Sequence, residues 1–164
     1  MHHQEQKKTE EPITQVVERL RSHFRQQLLG VLATQDASSP YTSLLAFAAN
    51  EHLDRLFFTT SRLSRKYDNM ATNPRVAMLI DNRTNDSVDF QRALAVTVLG
   101  EAREIQEHER KSPLALFLRR HPTLEPFCLS PSTSLMEIVV HRYILVTQFE
   151  EVRSVGIEDI VRCS

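Results

Sequence analysis

The sequence predicts a mainly β protein: a six-stranded antiparallel sheet that closes into a small barrel, flanked by a few helices. Three observations carry that prediction. Six apolar runs of strand length are separated by short, turn-rich connections. Nothing repeats at a fixed period, which argues against solenoids and propellers. Only 3 of the 164 residues are glycine, too few for a glycine-rich phosphate loop of the Rossmann or Walker type.

The elements follow in order. Pro12 opens a helix over residues 12–25, where Ile13, Val16, Val17, Leu20 and Phe24 recur at helical spacing. LLGVLATQ, the turn DASSP and YTSLLAFAAN then form a β-hairpin. EHLD connects to a third strand, RLFFTT, and a short helix is expected from Ser64 to Thr72. Asn73-Pro74 stops that helix and RVAMLID is the fourth strand. The polar loop NRTNDSVDFQR leads to ALAVTVLGEAREI, the fifth strand, with Gly100 as a bulge or close-approach point. Helical spacing returns over 107–120, and SLMEIVVHRYILVTQF is a sixth strand long enough to bend.

The domain division expected from this pattern is a flexible segment over 1–11, one barrel domain over 12–150 and a tail over 151–164. With 20 Lys and Arg against 21 acids, the formal charge of −1 argues against broad attraction to nucleic acid or an anionic membrane, so any anion site must be local. No run approaches the length of a membrane span and MHHQEQKKTE lacks the apolar core of a secretion signal. A cytoplasmic protein is the expectation. Cys128 and Cys163 show neither disulfide-framework nor zinc-knuckle spacing.

One short stretch concentrates cations. After the third strand, SRLSRK puts Arg62, Arg65 and Lys66 beside Ser64, which is placed to cap the following helix. A helix start presents unpaired N–H groups and a positive dipole end, so hydroxyl, guanidinium and ammonium groups there suit a phosphate. The competing reading is a capping serine with solvated surface cations.

The order hairpin, FFTTSRLSRK, helix, NPRVAMLID, polar loop, AVTVLGEA resembles the pyridoxamine 5'-phosphate oxidase-like family of FMN-binding split barrels, over roughly residues 12–150. The resemblance implies a split β-barrel of that FMN-binding type. It implies a homodimer with the cofactor site between protomers. Arg65 and Lys66 would hold the FMN phosphate, with Ser64 and Thr60 assisting. Thr42, Ser43 and Leu44, with Leu45 and Ala46 after them, lie on the strand that resembles the one whose backbone runs beside the isoalloxazine ring, and Thr59 occupies the position of an aromatic in the oxidases proper. Two departures separate this chain from the vitamin B6 oxidases. Leu94 and Ala95 stand where those enzymes carry Arg-Gln, and there is no Trp, nor their substrate-binding tail. It is similar instead to the shorter, general members of the family.

Elsewhere the residues say less. Asn82 and Arg83 follow the fourth strand and are placed either as turn formers or to reach a ligand or the other protomer's cofactor. His121 and His141 form no metal-pair spacing, the aspartates no hydrolase pair, and no serine sits in a nucleophile elbow. The expectation is an FMN-dependent oxidoreductase acting on a small molecule, with NAD(P)H as candidate electron donor. A non-catalytic flavin-binding or sensing module and a haem-binding split barrel are the alternatives. No residue is assigned a catalytic role.

Overall fold

The computed structural model describes residues 11–147 and 151–163. The expected flexible start therefore lies outside the described residues except for Glu11. Helix α1 (Ile13–Gln26) follows Pro12 and turns Val16, Val17, Leu20 and Phe24 inward, as their spacing requires. The strands are β1 (Leu29–Gln35), β2 (Pro40–Ala46), β3 (Ala48–Ala49), β4 (Arg55–Ser61), β5 (Arg75–Asp81), β6 (Leu94–Glu104), β7 (Thr133–Thr147) and β8 (Glu151–Gly156). Between them run α2 (Arg65–Thr72), α3 (Asp89–Arg92), α4 (Lys111–Arg120) and α5 (Glu125–Cys128), and α6 (Ile157–Val161) ends the described chain. None of these helices is long and apolar enough to cross a membrane.

All strand pairs are antiparallel, in the order β2-β1-β5-β6-β7-β4-β3, with β8 also on β7. The first and last strands of this order, β2 and β3, are separated in sequence by Phe47 alone. The sheet therefore curls back on itself, and β2 and β4 approach each other without a hydrogen-bonded ladder. That unpaired approach is the seam of the barrel.

Strand alternation sorts the side chains. The paired row Leu32, Met78, Val98, Tyr143 and Val155 points inward and is buried. Phe24, Phe47 and Phe58 fill the same core, and the Tyr143 hydroxyl donates to the Leu53 carbonyl. A second apolar layer, with Phe117 of α4 and Cys128 of α5 packed on Ala48, sits alongside a cluster of Phe57, Ile105 and Leu135.

The described residues form eight strands, where six were expected. Phe47 divides the run YTSLLAFAAN because the chain changes partner there, from β1 to β4. An unbroken apolar run carries no sign of that change. The segment expected as a tail supplies β8, which pairs along the second half of β7 from Thr147↔Glu151 to Arg142↔Gly156. As an edge strand it lacks a strong apolar alternation, and Val152 is 67% exposed. The helix expected over 107–120 begins at Lys111, because Glu107–Glu109 form a separate 3-10 turn.

Gly100 behaves as expected. The β6–β7 register slips beside it, from Leu99↔Arg142 to Gly100↔Val140, leaving His141 as the extra residue of a bulge. A Cβ at Gly100 would lie 2.2 Å from the Val139 carbonyl oxygen. Gly100→Ala should therefore destabilise the fold by about 2 kcal/mol or more through backbone displacement. Chemical denaturation checks this, and an unchanged midpoint would show that the bulge has slack.

Candidate functional site

The site is built where β4 ends and α2 begins. Ser61 closes the strand, the Ser64 N–H donates to the Ser61 carbonyl at 3.1 Å, and the Ser64 hydroxyl donates to the same oxygen at 2.8 Å. That hydroxyl also meets the Thr60 hydroxyl at 3.0 Å and accepts from the Tyr67 N–H at 3.4 Å. Ser64 is thus the helix cap its position predicts.

The three cations of SRLSRK take different directions. Arg62 turns away, donating to the Pro131 and Thr133 carbonyls at 2.8 and 3.2 Å and pairing with Glu104. Glu104 also accepts from the Tyr67 hydroxyl at 2.6 Å. Burial works against ionisation of Glu104, but the bonds from Tyr67 and Arg62 outweigh it and hold the carboxyl below its usual range. Arg65 pairs with Asp36 at 2.9 Å and lies over the Tyr41 ring at 4.8 Å. The N–H groups of Ser38 and Ser39, then Arg65, push the Asp36 carboxyl far down. Lys66 alone of the three has no hydrogen-bond or ion-pair partner among the described residues, and it lines an open cleft.

That cleft, of about 300 Å³, occupies the seam. Leu44, Leu45 and Ala46 of β2 form one wall; Thr59, Thr60 and Ser61 of β4, with Ser64 and Lys66, form another. Leu124 and Phe127 complete it from the segment before β7. Of the expected site residues, Leu44, Thr59, Thr60, Ser64 and Lys66 meet here. Ser43 shares its face of β2 with Leu45, and its hydroxyl is buried without a hydrogen-bond partner. Thr42 is exposed and pairs with Ala33 on the outer face.

Arg65 and Arg83 lie outside the cleft lining. Arg83 pairs with Asp81 at 2.9 Å and lines a second depression of about 400 Å³ with Leu29, Val31, Leu79 and Leu44. Leu44, 66% exposed, borders both depressions. A third cleft, of about 390 Å³, lies at the end of α1. Its Arg120 is engaged in donating to the carbonyls of Phe24, Arg25 and Gln27.

Leu45 and Ala46 lie on the strand the resemblance places beside the ring, whereas Ser61, Leu124 and Phe127 enter the site without having been singled out in the sequence. Ser61 is adjacent to the cation cluster and could have been included on spacing alone. Phe127 could not, because EPFCL sits in no recognisable motif and reaches the seam only through the fold.

The donor set suits a phosphorylated, partly apolar ligand such as FMN. It offers a free ammonium, hydroxyls on Thr60, Ser61 and Ser64, and an apolar wall. It does not suit a metal: no group of three or more His, Cys, Asp or Glu side chains converges among the described residues. Among the described residues the two buried histidines are occupied, His23 Nε2 with the Ile80 carbonyl at 3.0 Å and His121 Nε2 with that of Phe47 at 2.7 Å. Burial pulls both below the usual imidazole value, so each is a neutral donor at pH 7.

An antiparallel barrel left open at one seam, with a hydroxyl- and ammonium-lined cleft in it, defines the class of protein. The sequence matches the model of the pyridoxamine 5'-phosphate oxidase family over residues 16–155, and the chain belongs to that family. Among solved structures it is similar to a haem-binding protein from Mycobacterium smegmatis, with TM-score 0.80 and 19% identity over 94% of this chain. The chain spans 62% of that protein. It is also similar to General Stress Protein 26 from Bacillus anthracis, with TM-score 0.66 and 19% identity, covering 86% of this chain and 98% of that one. The haem storage protein HutZ from Vibrio cholerae gives TM-score 0.65 and 17% identity, covering 76% and 89%. At these identities the likeness is one of fold. No curated protein matches the sequence.

Glu104→Gln tests the network that holds Arg62 away from the cleft. Its folded-state value is lowered, so its contribution is present above the ordinary value of 4.5 and is lost as pH falls through the lowered one. The variant should lose about 1 kcal/mol at neutral pH, with the deficit closing below about pH 4. Denaturation measured across pH checks the sign, and a deficit that grows in acid would contradict the assignment.

Proposed function

We propose that the chain binds FMN in the seam cleft, at the junction of two protomers of a homodimer, and acts as an FMN-dependent oxidoreductase on a small molecule. The observation that carries this reading is the convergence of Lys66, unpaired, with the Thr60, Ser61 and Ser64 hydroxyls beside an apolar wall. Lys66 would hold the phosphate, the Ser64 and Thr60 hydroxyls would turn to it from their bonds to the Ser61 carbonyl and to each other, and Leu44, Leu45 and Ala46 would border the ring. Ser43 has a hydroxyl to satisfy at the same strand. Bound FMN supplies hydride and electron transfer at its own ring, and a nicotinamide dinucleotide is the candidate donor. The protein's part is to anchor, orient and enclose.

Support for the dimer comes from the outer face of the sheet. The paired row Leu44, Val31, Leu79, Thr97 and Ile144 runs across it, flanked by Leu29, Ala95, Val146 and Val152. Leu29, Leu44 and Val152 are each at least half exposed. A largely apolar sheet face of this kind, interrupted by Thr97, supports association there. Because Leu44 belongs to both that face and the cleft, a partner seated there would border the ligand. Leu79→Arg should therefore give a monomer by analytical ultracentrifugation and lower FMN uptake; a variant that stays dimeric would reject this face as the interface.

The flavin reading is tested by spectra of the purified protein and by titration with FMN. Oxidised flavin absorbs in the blue and near ultraviolet, and Lys66→Ala should weaken FMN binding roughly tenfold or more without unfolding. An unchanged affinity would reject the phosphate site. A Soret band would favour haem, as the Mycobacterium smegmatis and Vibrio cholerae neighbours suggest. Among the described residues, the lining of the seam cleft includes no His, Cys, Met or Tyr, the side chains that ligate haem iron. Oxidation of reduced nicotinamide separates turnover from a sensing module.

A further inference from the structure

We propose that Phe127 is the aromatic wall of the cofactor site, stacking on the planar ring of the bound flavin; this rests on the flavin reading above. Phe127 is 43% exposed on α5 and lines the seam cleft together with Leu124. An aromatic ring left in water at the rim of a cleft forgoes its burial, unless a ligand supplies the missing partner.

The mounting of Phe127 is rigid. Its neighbour Cys128 is fully buried against Phe117 and Ala48, and its thiol lies 3.9 Å from the Thr59 hydroxyl in the facing strand. Arg110 donates to the Cys128 carbonyl at 2.7 Å, and the Leu129 N–H closes onto the Glu125 carbonyl at 3.0 Å. Leu124, on the other side, packs into the same apolar cluster. Both flanks of Phe127 are thus pinned while its ring stays partly in solvent. A rigid aromatic with few rotatable bonds loses little entropy on binding, which suits recognition of a flat, conjugated ligand.

The arrangement divides the labour within one cleft. Lys66 and the serine and threonine hydroxyls address the phosphate; Phe127, with Leu44 and Leu45, addresses the ring. Phe127 therefore acts on every flavin that fits, with or without a phosphate, and Lys66 only on phosphorylated ones.

The test is titration of the full-length protein, freed of any flavin, with FMN and with riboflavin, which lacks the phosphate. Phe127→Ala should weaken both ligands by a similar factor, roughly tenfold. Phe127→Tyr should bind both within about twofold of the wild type, whereas Phe127→Leu, apolar but not planar, should behave like the alanine variant. Lys66→Ala should weaken FMN and leave riboflavin unchanged. If Phe127→Ala or Phe127→Leu binds both flavins like the wild type, or loses FMN alone, the stacking role is overturned while the flavin site stands. If the wild type binds neither flavin, the flavin reading falls and this role with it.

Discussion

The architecture depends on Phe47. At this residue the chain leaves β1 for β4, and each group of the residue is fixed by a different element. Its N–H donates to the Leu28 carbonyl at 3.3 Å, its carbonyl accepts from His121 at 2.7 Å, and its ring meets Phe24 edge-on at 5.8 Å. The Arg120 guanidinium lies over the same ring while donating to the carbonyls that end α1. One buried aromatic thus joins α1, the start of β1, the β2–β3 corner and the end of α4. The chain changes partner at this residue, and β2 and β4 approach each other without pairing. The barrel is open there, and the cleft lies along that opening, beside the corner.

The seam also explains how a chain with almost no net charge can present a localised positive site. Arg62 and Arg65 are neutralised at once by Glu104 and Asp36, on either side of the β4–α2 turn. Those pairs fasten the turn to β6 and to the β1–β2 loop, and leave the ammonium of Lys66 as the unspent charge. Solvent-exposed ion pairs of this kind add little to stability, and their effect here is directional. They decide which cation faces the cleft. The long strand β7 makes a comparable division: β6 follows it throughout, while the bulge at His141 separates the half that pairs with β4 from the half that pairs with β8.

Much of this was legible in the sequence, for identifiable reasons. Helical spacing located α1, β-branched runs located the long strands, Ser64 announced its own helix cap, and the scarcity of glycine gave Gly100 its meaning. The partner change at Phe47 was hidden because every residue from Leu44 to Ala49 is apolar whichever strand it faces. Strand β8 was hidden because VRSVG pairs as an edge with modest burial. Within the site, the chemistry of SRLSRK could be read from residue types, but the fate of each cation could not: Asp36 is 29 positions from Arg65 and Glu104 is 42 from Arg62. Phe127 illustrates the same limit, since a residue on a short helix without a motif reaches the cleft only through the strands it is folded against.

The proposed function requires two chains to hold FMN together at their open seams. Native mass spectrometry of the purified protein, supplied with FMN, tests it most directly. The expected species has two chains carrying two FMN molecules, and it releases flavin and dissociates in step when the outer sheet face is disrupted. A single chain that carries no flavin, or a dimer that carries haem in its place, would contradict it.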